Sequence, residues 1–177
     1  MVNSDFNIEI IDLHWLKNED DPTDLCAHGH LYLKIGTQII SEYETGDWTL
    51  SSTALSFLRT IENNYVKDEY SNQLLPCCGY FFIASEDQKT VIIQGCNIGI
   101  DWKIIHQDNN TIKHIFDNGY EVIIDKEKYK KKVIGFADKI EQFFNDSQTK
   151  IIPSDDFDRR GYLAFWKEWR DLRDRWK

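Results

Sequence analysis

Between Gly79 and Asp125 the chain runs as short apolar segments of five to seven residues, broken by clusters of turn residues. Segments this short and turns this tight restrict the pairing to neighbouring antiparallel strands, because a parallel pair needs a crossover of about a dozen residues or more. Gly79–Ser85 is apolar on both faces and reads as an interior strand, and Glu86–Lys89 then turns the chain into Val91–Cys96. Trp102–His106, Thr111–Phe116 and Tyr120–Asp125 follow. The Asp117-Asn118-Gly119 turn between the last two is the strongest hairpin signal in the chain, since Asn and Gly tolerate the positive φ of tight hairpin turns.

Two other patterns flank this meander. Towards the N-terminus, Phe6–Leu13 alternates apolar and polar residues with a period of two, as a half-buried strand does. After the polar stretch Lys17–Asp24, the segments His28–Ile35 and Gln38–Ser41 are joined at Gly36-Thr37, with Leu31, Leu33 and Ile35 on the core face and His30, Tyr32 and Lys34 opposite. The period then changes: Leu50, Ala54, Phe57, Leu58, Ile61 and Tyr65 predict an amphipathic helix over Leu50–Tyr65, with Thr49 or Ser51 as its N-cap. A second helix is expected over Lys126–Asn145, with Tyr129, Val133, Phe136, Ala137, Ile140 and Phe143/Phe144 on one face. A third, over Tyr162–Trp176, follows the loop Gln148–Asp158. Its Trp166, Trp169 and Trp176 form one stripe, which reads as core packing more readily than as a binding face. The expected architecture is a single α+β domain over residues 1–177, a largely antiparallel meander with about three packed helices.

Charge narrows the partners. Residues 1–125 hold 7 Lys/Arg against 20 Asp/Glu, a net of −13, whereas residues 126–177 carry +4. Such an excess opposes binding to nucleic-acid phosphates and steers a basic partner towards the protein. The first five residues show no basic stretch leading into an apolar run, and no apolar run reaches the ~18 residues of a membrane span, so a soluble cytoplasmic protein is expected. In that compartment Cys26, Cys77, Cys78 and Cys96 are expected to be reduced and metal-free.

Candidate chemistry is sparse. His28 and His30 stand at i and i+2 near Cys26, and with Cys77 and Cys78 they include enough nitrogen and sulfur for a zinc site or a thiol enzyme. The bases then open to a nucleophilic Cys78 would be His28, His30, His106 or His114. Against this, the cysteines lack the spacing of paired zinc motifs, adjacent Cys77 and Cys78 would diverge on an extended chain, and free cysteine is usually buried. No phosphate-binding loop is present; Gly95–Gly99 is too short for one. A small-molecule pocket between sheet and helices is a further alternative. No catalytic residue, cofactor or metal is assigned. The loop Glu42–Asp47 and the residue after it offer a binding composition instead: Trp48 beside Glu42, Glu44 and Asp47 could set an aromatic anchor in a charged rim.

The stretches Asp24–Gly36 (DLCAHGHLYLKIG), Leu74–Phe82 (LLPCCGYFF), Gly99–His106 (GIDWKIIH) and Gly161–Arg170 (GYLAFWKEWR) resemble uncharacterised small bacterial proteins. An acidic, Trp-rich α+β chain of this size resembles the immunity proteins of bacterial toxin systems in type. That resemblance implies a non-enzymatic protein that neutralises a basic protein by binding it, and it carries over no individual residue.

Overall fold

A computed structural model describes residues 5–67, 73–79 and 81–176. Tyr80, inside the expected strand Gly79–Ser85, lies outside the described residues, as do the chain ends at 1–4 and 177. The element order is β1 (Phe6–Ile10), β2 (His28–Gly29), β3 (Leu31–Ile35), β4 (Gln38–Ser41), β5 (Trp48–Thr49), α1 (Leu50–Thr60), β6 (Leu75–Pro76), β7 (Phe81–Ala84), β8 (Val91–Gln94), β9 (Gly99–Ile100), β10 (Lys103–Gln107), β11 (Thr111–Ile115), β12 (Glu121–Asp125), α2 (Lys126–Asn145) and α3 (Asp156–Asp174). Every strand pair among the described residues is antiparallel, so the fold is the expected α+β type. The strands divide into two three-stranded sheets, β1-β3-β4 and β10-β11-β12, and three two-stranded ribbons, β2-β5, β6-β9 and β7-β8.

Turn chemistry sets both three-stranded sheets. Gly36 takes φ +62° between β3 and β4, and Gly119 takes φ +81° between β11 and β12, a region open to glycine at little cost. The two sheets meet near these turns, where Thr37 N donates to the Tyr120 hydroxyl at 3.1 Å. Leu31, Leu33 and Ile35 are fully buried, as the alternation requires.

Helix α2 matches its sequence pattern end to end. Asp125 caps it by accepting from Lys128 N at 2.9 Å, which favours a helix start despite the lysines that follow. Helix α3 begins six residues before the expected Tyr162, because Asp155 accepts from Phe157 N and Asp158 N and so starts the helix there. Trp169 is fully buried on α3 while Trp166 is half-buried.

Helix α1 differs more. It stops at Thr60, and Tyr65 leaves it to pair with Ile104, exchanging two backbone hydrogen bonds at 2.7 and 2.9 Å. It is also buried almost all round, against α2, α3 and β6, although its pattern is amphipathic. Most of its polar side chains are hydroxyls that find partners inside the protein. Ser51 Oγ accepts from Ala27 N, Ser52 Oγ donates to Gly79 O, Thr53 Oγ1 donates to Thr49 O, and Thr60 Oγ1 meets the Tyr129 hydroxyl at 2.5 Å. A small hydroxyl can be satisfied locally in this way, so the face needs no water. Thr49 does not cap the helix with its side chain; its Oγ1 accepts from Gly79 N at 3.1 Å instead. Leu58→Ala, at a fully buried position of this helix, is expected to lower stability by about 2–5 kcal/mol in urea denaturation. A loss below about 1 kcal/mol would show that the helix is peripheral.

His114 on β11 sits wholly inside the core, where Trp102 Nε1 donates to its Nδ1 at 2.9 Å and the Phe6 and Tyr129 rings flank it. Burial holds its pKa down at about 3, against 6.5 for an ordinary histidine. The unfolded chain therefore takes up the proton first as pH falls. Stability present above about pH 6.5 is lost as pH drops towards 3. Between pH 7 and pH 5 this one ring is expected to account for about 2 kcal/mol of lost stability. Urea midpoints of wild type and His114→Gln at the two pH values measure it, since other titrating groups cancel in the difference. Equal pH sensitivity in the two proteins would refute it.

Candidate functional site

A cleft of about 780 Å³ opens where the loop from Leu16 to Cys26 meets His28 of β2, Asp47 before β5, Cys77, Cys78, Phe81 and Phe82, and Pro153 with the start of α3. Leu16, Leu25, Phe81, Phe82, Pro153 and Tyr162 form its apolar wall. Asp21, Asp24, Asp47 and Asp158 face it against one cation, Lys17. The same carboxylates shape the walls. Asp24 accepts from Leu16 N at 2.7 Å and from Cys26 N at 3.2 Å, and Asp21 accepts from Thr23 N at 2.8 Å. The Thr23 backbone and hydroxyl bonds hold the Asp21 carboxyl below the ordinary carboxylate range, so it stays charged at neutral pH.

Beside the cleft lies a group of imidazoles and carboxylates. His14 Nε2 is 3.1 Å from Asp47 Oδ2, His30 Nδ1 is 3.0 Å from Asp12 Oδ2, and the His14 ring is 6.3 Å from His28 and 6.2 Å from His30. Burial alone would raise the Asp12 carboxyl, but the His30 hydrogen bonds and the charges of His30 and His14 outweigh it and leave Asp12 low. Burial pulls His28 below the ordinary histidine range, with Asp24 and Asp47 pulling it back up in part. His14 belongs to this group through its bridge to His28, a pairing that spacing along the chain does not reveal.

The residues singled out from the sequence separate into distinct places. Glu42, Glu44 and Asp47 are exposed on the loop that borders the cleft. Trp48 is not an exposed anchor. It is only 4% accessible, with its Nε1 donating to Ser41 Oγ at 2.9 Å, because β5 pairs with β2 and turns the ring inward. The aromatic ring presented at the cleft is Phe81, 44% exposed. Cys26, His28, Cys77 and Cys78 do share the cleft, whereas His30 turns to Asp12 and stacks on Tyr43 at 4.2 Å. Cys26 makes a poor nucleophile, since burial pushes its thiol up to about 12. His106 engages Thr60 O at 3.0 Å and His114 is enclosed in the core, so neither serves as a base for Cys78.

The cysteines do not all stand as free thiols. Cys77 and Cys96 form a disulfide, and Cys26 and Cys78 are free. Nor do Cys77 and Cys78 diverge; their sulfurs are 3.7 Å apart. The approach of Cys96 comes from tertiary packing of two segments that share no local pattern. Thiol titration of the air-oxidised protein, denatured without reductant, is expected to count two thiols, and four after reduction. Four without reductant would contradict the pairing.

These features define an α+β domain with an acidic cleft that has an apolar wall and a sulfur cluster at its edge. No protein-family model matches the chain, and no curated protein or solved structure matches it either. Among the described residues no helix is long and apolar enough to cross a membrane.

Proposed function

We propose that this chain is a non-enzymatic binding protein of the immunity type, acting in the cytoplasm, that sequesters a basic protein by seating a cationic segment in the acidic cleft. The observation that carries this reading is the cleft lining, with Asp21, Asp24, Asp47 and Asp158 set against Lys17 over an apolar wall. A lysine or arginine side chain has the matching chemistry, an apolar stem ending in a cation. Glu42 and Glu44 are exposed on the same loop as the cleft-lining Asp47, and exposed Leu16, Phe81 and Phe157 supply apolar contact area. The same excess of carboxylates disfavours nucleic acid as the partner. The cleft volume also lies within the roughly 300–1,000 Å³ of small-molecule sites, which favours a small organic cation as the second reading.

The test is affinity capture from cells that make this protein, followed by association kinetics with the protein recovered. The comparison variant carries Glu42→Gln, Glu44→Gln, Asp47→Asn and Asp158→Asn. A basic protein is expected to bind wild type, and the variant is expected to associate about tenfold more slowly at low salt, with the gap closing as salt rises. Equal rates at low salt in a folded variant would remove this face from the interface. A recovered partner without a basic surface would overturn the reading itself.

A further inference from the structure

We propose that Cys77, Cys78 and Cys96, when reduced, bind one thiophilic divalent cation of the zinc class at the edge of the cleft. The three sulfurs lie within 4.8 Å of one another, and each residue is half-buried, so an ion can reach them. Zinc holds thiolates at about 2.3 Å in a tetrahedron, which sets neighbouring sulfurs about 3.8 Å apart. Cys77 and Cys78 already stand at 3.7 Å.

The backbone around them is built for close approach. A Cβ at residue 95 would lie 1.4 Å from the Cys78 carbonyl oxygen, so Gly95 is what lets the segment after β8 close on Cys78. The opposite segment is fastened to the buried start of α1: Thr49 Oγ1 donates to Cys77 O at 3.4 Å and accepts from Gly79 N, and Ser52 Oγ donates to Gly79 O at 2.7 Å. Cys96 N donates to Cys78 Sγ at 3.1 Å, the kind of hydrogen bond that supports a metal-bound thiolate. Three protein sulfurs leave the fourth position of a tetrahedron open to solvent or to a group brought by a partner.

The disulfide and the ion are alternative states of the same sulfurs. A dithiol reductant delivers two electrons and two protons to the Cys77–Cys96 bond, becoming a disulfide itself and leaving two thiols beside Cys78. The cation then takes the three sulfurs as thiolates and releases their protons to solvent, so binding tightens as pH rises. A reducing compartment favours the metal-binding state.

Cobalt(II) is the probe, added to the full-length reduced protein in a non-thiol reductant, with the thiolate-to-cobalt charge-transfer absorption as readout and zinc as competitor. One equivalent of cobalt is expected to raise the band, and one equivalent of zinc to abolish it. Cys78→Ser retains the Cys77–Cys96 pair and is expected to bind at least about tenfold more weakly, while Cys26→Ser binds as wild type. Oxidised wild type, with Cys77 and Cys96 joined, is expected to give no band, a comparison that needs no variant to fold. No band in reduced wild type, an undiminished band in Cys78→Ser, or equal binding by the oxidised protein would each overturn the proposal.

Discussion

Glu168→Ala is expected to lower stability by about 2–4 kcal/mol, the cost of removing a buried carboxylate that a half-buried guanidinium and a buried backbone N–H share. Glu168 lies on α3 and is only 7% exposed. Its two carboxylate oxygens accept from Arg59 Nε and Nη2, each at 2.7 Å, and Oε2 also accepts from Val91 N at 2.9 Å. Arg59 in turn donates to Val91 O at 2.5 Å. One carboxylate therefore joins α1, α3 and the start of β8. Truncating it leaves the buried Val91 N–H without its acceptor and the half-buried Arg59 guanidinium without its carboxylate, which water replaces only in part. For a domain of this length the loss corresponds to roughly 4–16 °C in Tm. Replacing both partners, Arg59→Met with Glu168→Leu, removes the uncompensated charge and is expected to restore much of the loss. The double-mutant cycle, read from urea midpoints, isolates the pair. A single-variant loss under about 1 kcal/mol would place this ion pair with ordinary surface pairs.

Phe57→Ala is expected to cost about 3–5 kcal/mol, with the urea m-value unchanged. Phe57 is fully buried on α1, with ring centroids 6.1 Å from Phe6 on β1, 6.1 Å from Trp102 beside β10 and 6.4 Å from Phe136 on α2. Those neighbours belong to both three-stranded sheets and to a second helix, so the cavity left by truncation opens at the point where the layers meet. Close-packed surroundings held from several sides collapse poorly into such a space, which puts the cost in the upper part of the usual range. A loss near 1 kcal/mol would mean that the layers shift to fill the gap.

The stability frame and the cleft share parts. The hydroxyls that let α1 sit in the interior also hold the Cys77–Gly79 segment, through Thr49 and Ser52. The cleft wall is thus attached to the most buried helix, and two of the carboxylates, Asp21 and Asp24, are held by backbone N–H groups of their own loop. A site so mounted changes little in shape on binding, which keeps the ordering cost of association low.

Local chemistry in the sequence determined most of the elements. Helix α2 was legible to its ends because its inward stripe, Tyr129 to Ile140, repeats within one or two turns. The hairpin turns at Gly36 and Gly119 were legible for the same reason, since the φ they need is a property of single residues. The acidic character of the first 125 residues was likewise open to counting. Tertiary structure alone decided the rest. Residue spacing does not say that Tyr65 quits α1 for Ile104, that Trp48 turns inward to Ser41, or that His14 joins His28. Each depends on pairing between separate stretches of the chain rather than on local spacing. The sulfur cluster is the sharpest case. Cys96 reaches Cys77 and Cys78 only because Gly95 passes against the Cys78 carbonyl, an approach set by the packing of two separate segments. Periodicity and caps are encoded between residues a few positions apart, whereas a site of this kind is encoded in the way whole elements pack.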